Sequence, residues 1–216
     1  MIPMDIQNAE KILLEIKELM DELNVIFFLR HGTCLGAVRD AQLIPWDDDL
    51  DIGSIIGMNG LDENSINKTV DKFKFAGFKT EVSESSFHIG VTLSKLGILI
   101  DWTCYKVREG SIYQYPGVKI PIELHDNLKP ISFLGDTFFV PNPPEKYLLI
   151  KYGPEWHIPK QMDYEGDIVN SIPESTIPLQ FGIFTRIQKF FFQKKFNTFC
   201  KNCYSFIFIF HHFFKV

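Results

Sequence analysis

The sequence predicts an α+β fold: a mixed β-sheet with packed helices, followed by a phenylalanine-rich, basic C-terminal tail. Three observations carry this. Apolar residues at helical spacing open the chain at 6–24 and recur at about 64–76. Short apolar or alternating segments follow one another from 78 to 140. Residues 143–153 begin on proline and end on glycine, as a bounded helix does. The expected organisation is one domain over 1–163, a linker over 164–189 and the tail over 190–216.

In order along the chain, Ile6, Ile12, Leu13, Ile16, Leu19, Met20 and Leu23 form one apolar stripe among Glu and Lys, an amphipathic helix of about five turns. "VIFFL" (25–29) is continuously apolar and predicts a buried strand. Gly32-Thr33 breaks it, and Thr33 is read as the N-cap of a short helix from Cys34 to Arg39. Pro45 keeps Ile44 extended, and "DLDIGSI" predicts the next strand. Ile66, Val70, Phe73 and Ala76 mark the second helix, with Gly77 as its stop. "FKTEV", "FHIGVTL" and "ILIDWTCY" read as successive strands of one sheet, and "VKIPIEL" and "ISFLGDTFFV" continue in the same style, the last with a hairpin turn at Gly135-Asp136.

Composition sets bounds on function. With 216 residues, 45% of them hydrophobic, the chain can bury one sizeable core. A net charge of −5 makes nucleic acid an unexpected partner. The start of the chain lacks the pattern of a secretory signal, and no stretch reaches the length of a membrane span. Cys34 and Cys104 sit among apolar neighbours and read as core residues of a reducing compartment, so the expected location is cytoplasmic.

The chemistry concentrates in "HGTCLGAVRDAQLIPWDDDLDIG" (31–53), where Asp47, Asp48, Asp49 and Asp51 crowd together. On a strand, Asp49 and Asp51 point to one face, about 7 Å apart, while Leu50 and Ile52 enter the core. Two carboxylates aimed at one point repel each other unless a cation lies between them, and Mg²⁺ or Mn²⁺ suits oxygen ligands. Asp101 is a lone acid in an apolar strand and offers a third carboxylate. Upstream, Gly32 permits close approach of backbone to ligand, Thr33 opens a helix whose free amides attract phosphate, and Arg39 can add a forked contact.

These residues resemble the signature of LicD-type phosphotransferases and fukutin-related proteins, a branch of the polymerase-β-like nucleotidyltransferase superfamily. The pattern runs approximately G-T-x-L-G-x-x-R, then I-P-W-D-D-D-h-D-h-G with h apolar. Gly32, Thr33, Leu35, Gly36, Arg39, Ile44, Pro45, Trp46, Asp47, Asp48, Asp49, Asp51 and Gly53 fit it. "ILIDWTCY" resembles the strand that carries the family's third acid, and "KYLLIKYGPEWHIPK" its closing helix and loop with Tyr152, Gly153 and Trp156. The resemblance spans about 6–163; Cys34 replaces a commoner aliphatic residue, and the luminal anchor of fukutin-type proteins is not seen.

The resemblance implies a nucleotidyltransferase-like fold. It also implies transfer of a phospho-alcohol, such as phosphocholine or ribitol phosphate, from a CDP-linked donor to a hydroxyl of a glycan or lipid-linked glycan. Asp49, Asp51 and Asp101 would be both the catalytic residues and the ligands of Mg²⁺ or Mn²⁺. Gly32, Thr33, Arg39 and Trp46 would bind the donor. Asp47 and Asp48 stand either as supports of the site or as a solvated loop. His31 and His88 stand either as pocket residues or as structural ones. Trp46, Tyr152 and Trp156 are read as ligand-stacking or packing residues. A nucleotidyltransferase moving NMP from an NTP, and a non-catalytic membrane-associated binding protein, are the competing readings. In the tail, Cys200-x-x-Cys203 with His211 and His212 mimics zinc spacing, but the phenylalanine-rich surroundings are unlike a zinc knuckle. Lysine with phenylalanine there suits peripheral contact with a membrane surface.

Overall fold

The first helix, α1 (Ile6–Glu22), starts where Asp5 accepts a hydrogen bond from the Asn8 amide at 2.9 Å, and it buries Ala9, Ile12, Leu13, Ile16 and Met20. In this computed structural model residues 3–115 and 117–161 are described, and they fall within one compact unit, Met1–Ser171. The expected linker, the tail and its cysteines and histidines lie outside the described residues.

The strand expected over 25–29 is shorter: β1 is Phe28–Leu29. It pairs antiparallel with β2 (Asp49–Ile55), Phe28 opposite Gly53. Upstream of it the Ile26 carbonyl is taken by the Ser54 hydroxyl at 2.8 Å instead of a ladder amide. The helix expected from Cys34 starts earlier, as α2 (His31–Arg39). Thr33 is therefore not its N-cap. Arg30 holds that place, its carbonyl accepting the Cys34 amide, while the Tyr147 hydroxyl accepts the His31 amide at 3.1 Å.

Helix α3 (Glu63–Phe75) is capped by Asp62 and ends before Gly77 at φ 88°, as the spacing predicts. Strands β3 (Lys79–Glu84), β4 (His88–Lys95) and β5 (Ile98–Tyr105) follow. They complete a five-stranded sheet in the order β1-β2-β5-β4-β3. Only the β2–β5 pair is parallel, so the sheet is mixed. Leu50, Ile52, Ile100 and Trp102 are buried on one face, and the Trp102 indole donates to the Ser54 hydroxyl at 3.0 Å. Cys34 and Cys104 are buried free thiols, and burial raises the pKa of both.

The later strands do not join this sheet. β6 (Ser111–Gln114), unforeseen in its turn-rich surroundings, pairs with β7 (Val118–Pro121) as a separate ribbon. The expected strand 118–124 stops at Pro121, which has no amide to continue a ladder, and Ile122–Leu124 turn into a 3₁₀ helix. β8 (Lys129–Phe133) and β9 (Asp136–Val140) form a second ribbon. Its turn is Leu134-Gly135, both at positive φ, one residue before the expected pair. Helix α4 (Pro144–Tyr152) closes the described fold with Gly153 at its end. No helix among the described residues is long and apolar enough to cross a membrane.

Candidate active site

Each motif residue has a mechanical job. Thr33, buried inside the first turn of α2, accepts the Asp51 amide on its hydroxyl at 2.8 Å and so fastens the helix to β2. It is not among the residues lining the cavity. Gly36 lets the return loop pass: a Cβ there would lie 2.5 Å from the Gln42 carbonyl oxygen. Gly32 does the same for Asp47, whose carboxylate oxygen would lie 2.1 Å from a Cβ. Gly53 faces the Phe28 ring, which a Cβ would approach to 2.8 Å. After Pro45 the Asp47 amide turns back to the Ile44 carbonyl at 3.1 Å, and the Asp47 carbonyl receives the Met4 amide at 2.8 Å.

The result is a cavity of about 420 Å³. Asp47, Asp48, Asp49, Asp51 and Asp101 line it on the acidic side, with Gly32 and Arg39 close by. Asp51 and Asp101 are register partners across the parallel pair, and Asp49 stands two residues upstream on β2. Asp47, Asp48 and Asp49 each bring a ligand oxygen within 4.8 Å of the others. All three are half-buried, and the DDD run forms part of the cavity wall. Burial first, then Asp51, Asp47 and Asp48, push the Asp49 carboxyl up to about 8, with Arg30 offsetting part of the effect.

The sequence reading does not single out Arg30, yet its guanidinium lies 3.0 Å from both Asp51 Oδ1 and Asp101 Oδ2. A signal was available: an arginine closing an apolar strand next to a D-x-D is a candidate internal counter-ion. Arg39 lines the cavity while its Nε and a terminal nitrogen bond Asp40 at 3.0 and 2.6 Å. His31 is buried at the cavity; burial, then Lys151 and Arg30, hold its pKa well below the usual range. His88 is not part of the lining, and its Nδ1 lies 3.3 Å from the Ser85 hydroxyl.

The rest of the wall is aromatic and basic. Trp46, Tyr115, Tyr152 and Trp156 line it with Ile158 and Lys160. Trp46, Tyr152 and Trp156 are half-buried, not core residues. Tyr115 and Lys160 were not foreseen; they lie in a turn and in irregular chain, where the sequence carries no period. Lys151, buried beneath, donates to the Tyr115 carbonyl.

Residues 24–143 match the family model described as LicD/FKTN/FKRP, nucleotidyltransferase domain. The chain belongs to the LicD family. Human "Ribitol 5-phosphate transferase FKRP" is 27% identical over 154 residues, which is 62% of this chain and 29% of that protein. "Uncharacterized protein RT0683" of Rickettsia typhi is 39% identical over 62 residues, 29% of this chain and 19% of the relative. This LicD-family chain thus aligns with under a third of either relative's length. A solved structure of the antibiotic-resistance factor ANT(2'')-Ia aligns over 90% of this chain and 100% of that one, at a TM-score of 0.45 and 10% identity. All five cavity acids fall inside the matched span, whereas Tyr152, Trp156 and Lys160 lie beyond it.

Proposed function

We propose that this LicD-family chain is a metal-dependent phosphotransferase that moves a phospho-alcohol, of the phosphocholine or ribitol phosphate type, from a CDP-linked donor to a hydroxyl of a glycan or lipid-linked glycan. The observation that carries the reading is that Asp49, Asp51 and Asp101 line one cavity whose other wall is aromatic and basic, although the three acids there whose ligand oxygens come within 4.8 Å of one another are Asp47, Asp48 and Asp49. The printed activity of the human and mouse relatives, ribitol 5-phosphate transfer, supports it.

The donor set fits a hard divalent ion. It offers carboxylate oxygens, and burial, then the neighbouring Asp51, Asp47 and Asp48, drive the Asp49 carboxyl up. Mg²⁺ or Mn²⁺, when bound, neutralises charge on the donor diphosphate. Asp49 and Asp51 are the residues that would hold it. Asp101, the more exposed acid of its pair, completes the ligand set or takes the proton of the acceptor hydroxyl. That hydroxyl oxygen attacks the phosphorus bearing the alcohol, the bridging P–O bond breaks, and CMP leaves. Arg39, with the backbone at Gly32, faces the phosphates, and Trp46, Tyr152 and Trp156 offer flat surfaces to the base or the alcohol.

The family description also names a nucleotidyltransferase domain, which favours NMP transfer from an NTP as the second reading. Incubating the protein and Mg²⁺ with CDP-choline, CDP-ribitol or each NTP, with a glycan acceptor, separates the two. CMP release that depends on acceptor supports phospho-alcohol transfer. Pyrophosphate release overturns it in favour of the second reading, and no product from any donor overturns both.

A further inference from the structure

Arg30 is welded into the sheet. Its amide donates to the Asp51 carbonyl at 3.2 Å, and its Nε donates to the Ile52 carbonyl at 3.0 Å. One terminal nitrogen lies 3.0 Å from Asp51 Oδ1, 3.0 Å from Asp101 Oδ2 and 3.4 Å from the Asp101 carbonyl. The Arg30 side chain is only 4% exposed and that of Asp51 13%, whereas Asp101 reaches solvent at 44%. Asp101 is held at its other oxygen as well, where the Thr103 hydroxyl donates at 3.1 Å.

Adjacent strands lie about 4.8 Å apart, so two register-paired aspartates on one face repel strongly without a cation between them. The guanidinium is that cation: its Nε is anchored on the Ile52 carbonyl, and one terminal nitrogen reaches both carboxylates and the Asp101 carbonyl. We propose that Arg30 is a positioning residue: an internal counter-ion that clamps Asp51 and Asp101 side by side before a divalent ion arrives. The inference rests on the cation-binding part of the proposed function and is independent of donor and acceptor.

The experiment uses the full chain and four proteins: wild type, Arg30→Met, Arg30→Lys, and Arg30→Met combined with Asp101→Asn. Thermal unfolding is followed without metal and with Mn²⁺, and Mn²⁺ binding by electron paramagnetic resonance. Arg30→Met should lower the metal-free midpoint by on the order of 10 °C, and Mn²⁺ should recover most of that loss. Its Mn²⁺ affinity should rise about tenfold or more, since a positive charge beside the ion is gone. Arg30→Lys should return the affinity to near wild type. The double variant, which restores the charge balance, should be more stable than Arg30→Met. A purely structural arginine would not behave this way. Unchanged or weaker Mn²⁺ binding by Arg30→Met overturns the proposal, as does a double variant no more stable than the single one. Should Arg30→Met not fold at all, the double variant decides by the same criterion. Wild type that binds no Mn²⁺ sinks the metal-dependent function, and the stability rescue still judges Arg30.

Discussion

The Thr33 hydroxyl accepts the amide hydrogen of Asp51 at 2.8 Å, so the Gly-Thr and the D-x-D of the motif are one mechanical unit. Thr33→Val keeps the shape and leaves that amide without its acceptor. The expected loss is about 1–3 kcal/mol in urea unfolding, together with weaker Mn²⁺ binding. Thr33→Ser should recover most of both. A valine variant as stable as wild type would show that the bond holds nothing.

Asp49 gives the metal-free protein an unusual pH response. Its carboxyl titrates near 8 when folded and near the ordinary 3.8 when unfolded. Between those values the folded chain binds more protons, so this residue's contribution to stability falls as pH rises. Asp49→Asn should therefore gain on wild type progressively from pH 5 to pH 8, measured as the difference in urea midpoints. Added Mg²⁺ or Mn²⁺ should close the gap at pH 8. Parallel stability curves for the two proteins would contradict the burial and crowding that raise this carboxyl.

His125 acts in the opposite direction. It is 2% exposed, and its ring centroid lies 4.7 Å from that of Phe28. Burial lowers its pKa from 6.5 to about 4, only partly opposed by the Pro121 and Ile122 carbonyls. The folded state thus binds fewer protons across that window, and stability drains away as pH falls from 6.5 to 4. His125→Leu should abolish this loss, on the order of 3 kcal/mol, in acid unfolding followed by circular dichroism. Identical acid midpoints for variant and wild type would rule it out.

The two motif glycines should fail differently. Gly36→Ala sets a methyl against backbone, 2.5 Å from the Gln42 carbonyl oxygen, and should cost about 1–3 kcal/mol of stability. Gly32→Ala meets the Asp47 side-chain carboxylate, which can rotate away. It should unfold near wild type and lose Mn²⁺ affinity or turnover instead. The reverse pattern would mean that Asp47 is fixed and the Gly36 loop compliant.

Much of this protein is legible in its primary structure because alternation and punctuation are local. D-L-D-I places Leu50 and Ile52 inward and both aspartates outward whatever else surrounds them, and β2 and β5 fall at the expected residues. Pro144 and Gly153 bound α4 by backbone chemistry alone. The start of α2 is a different matter: Thr33 has the right chemistry for a cap, but the helix begins two residues before it, at His31, and its hydroxyl instead accepts the Asp51 amide. Pairing of Asp51 with Asp101, the placing of Arg30 between them, and the meeting of Trp46 with Tyr115 and Trp156 in one cavity join residues far apart along the chain. Such contacts depend on which strands lie side by side, and that choice is made by burial of the whole sheet rather than by any local pattern.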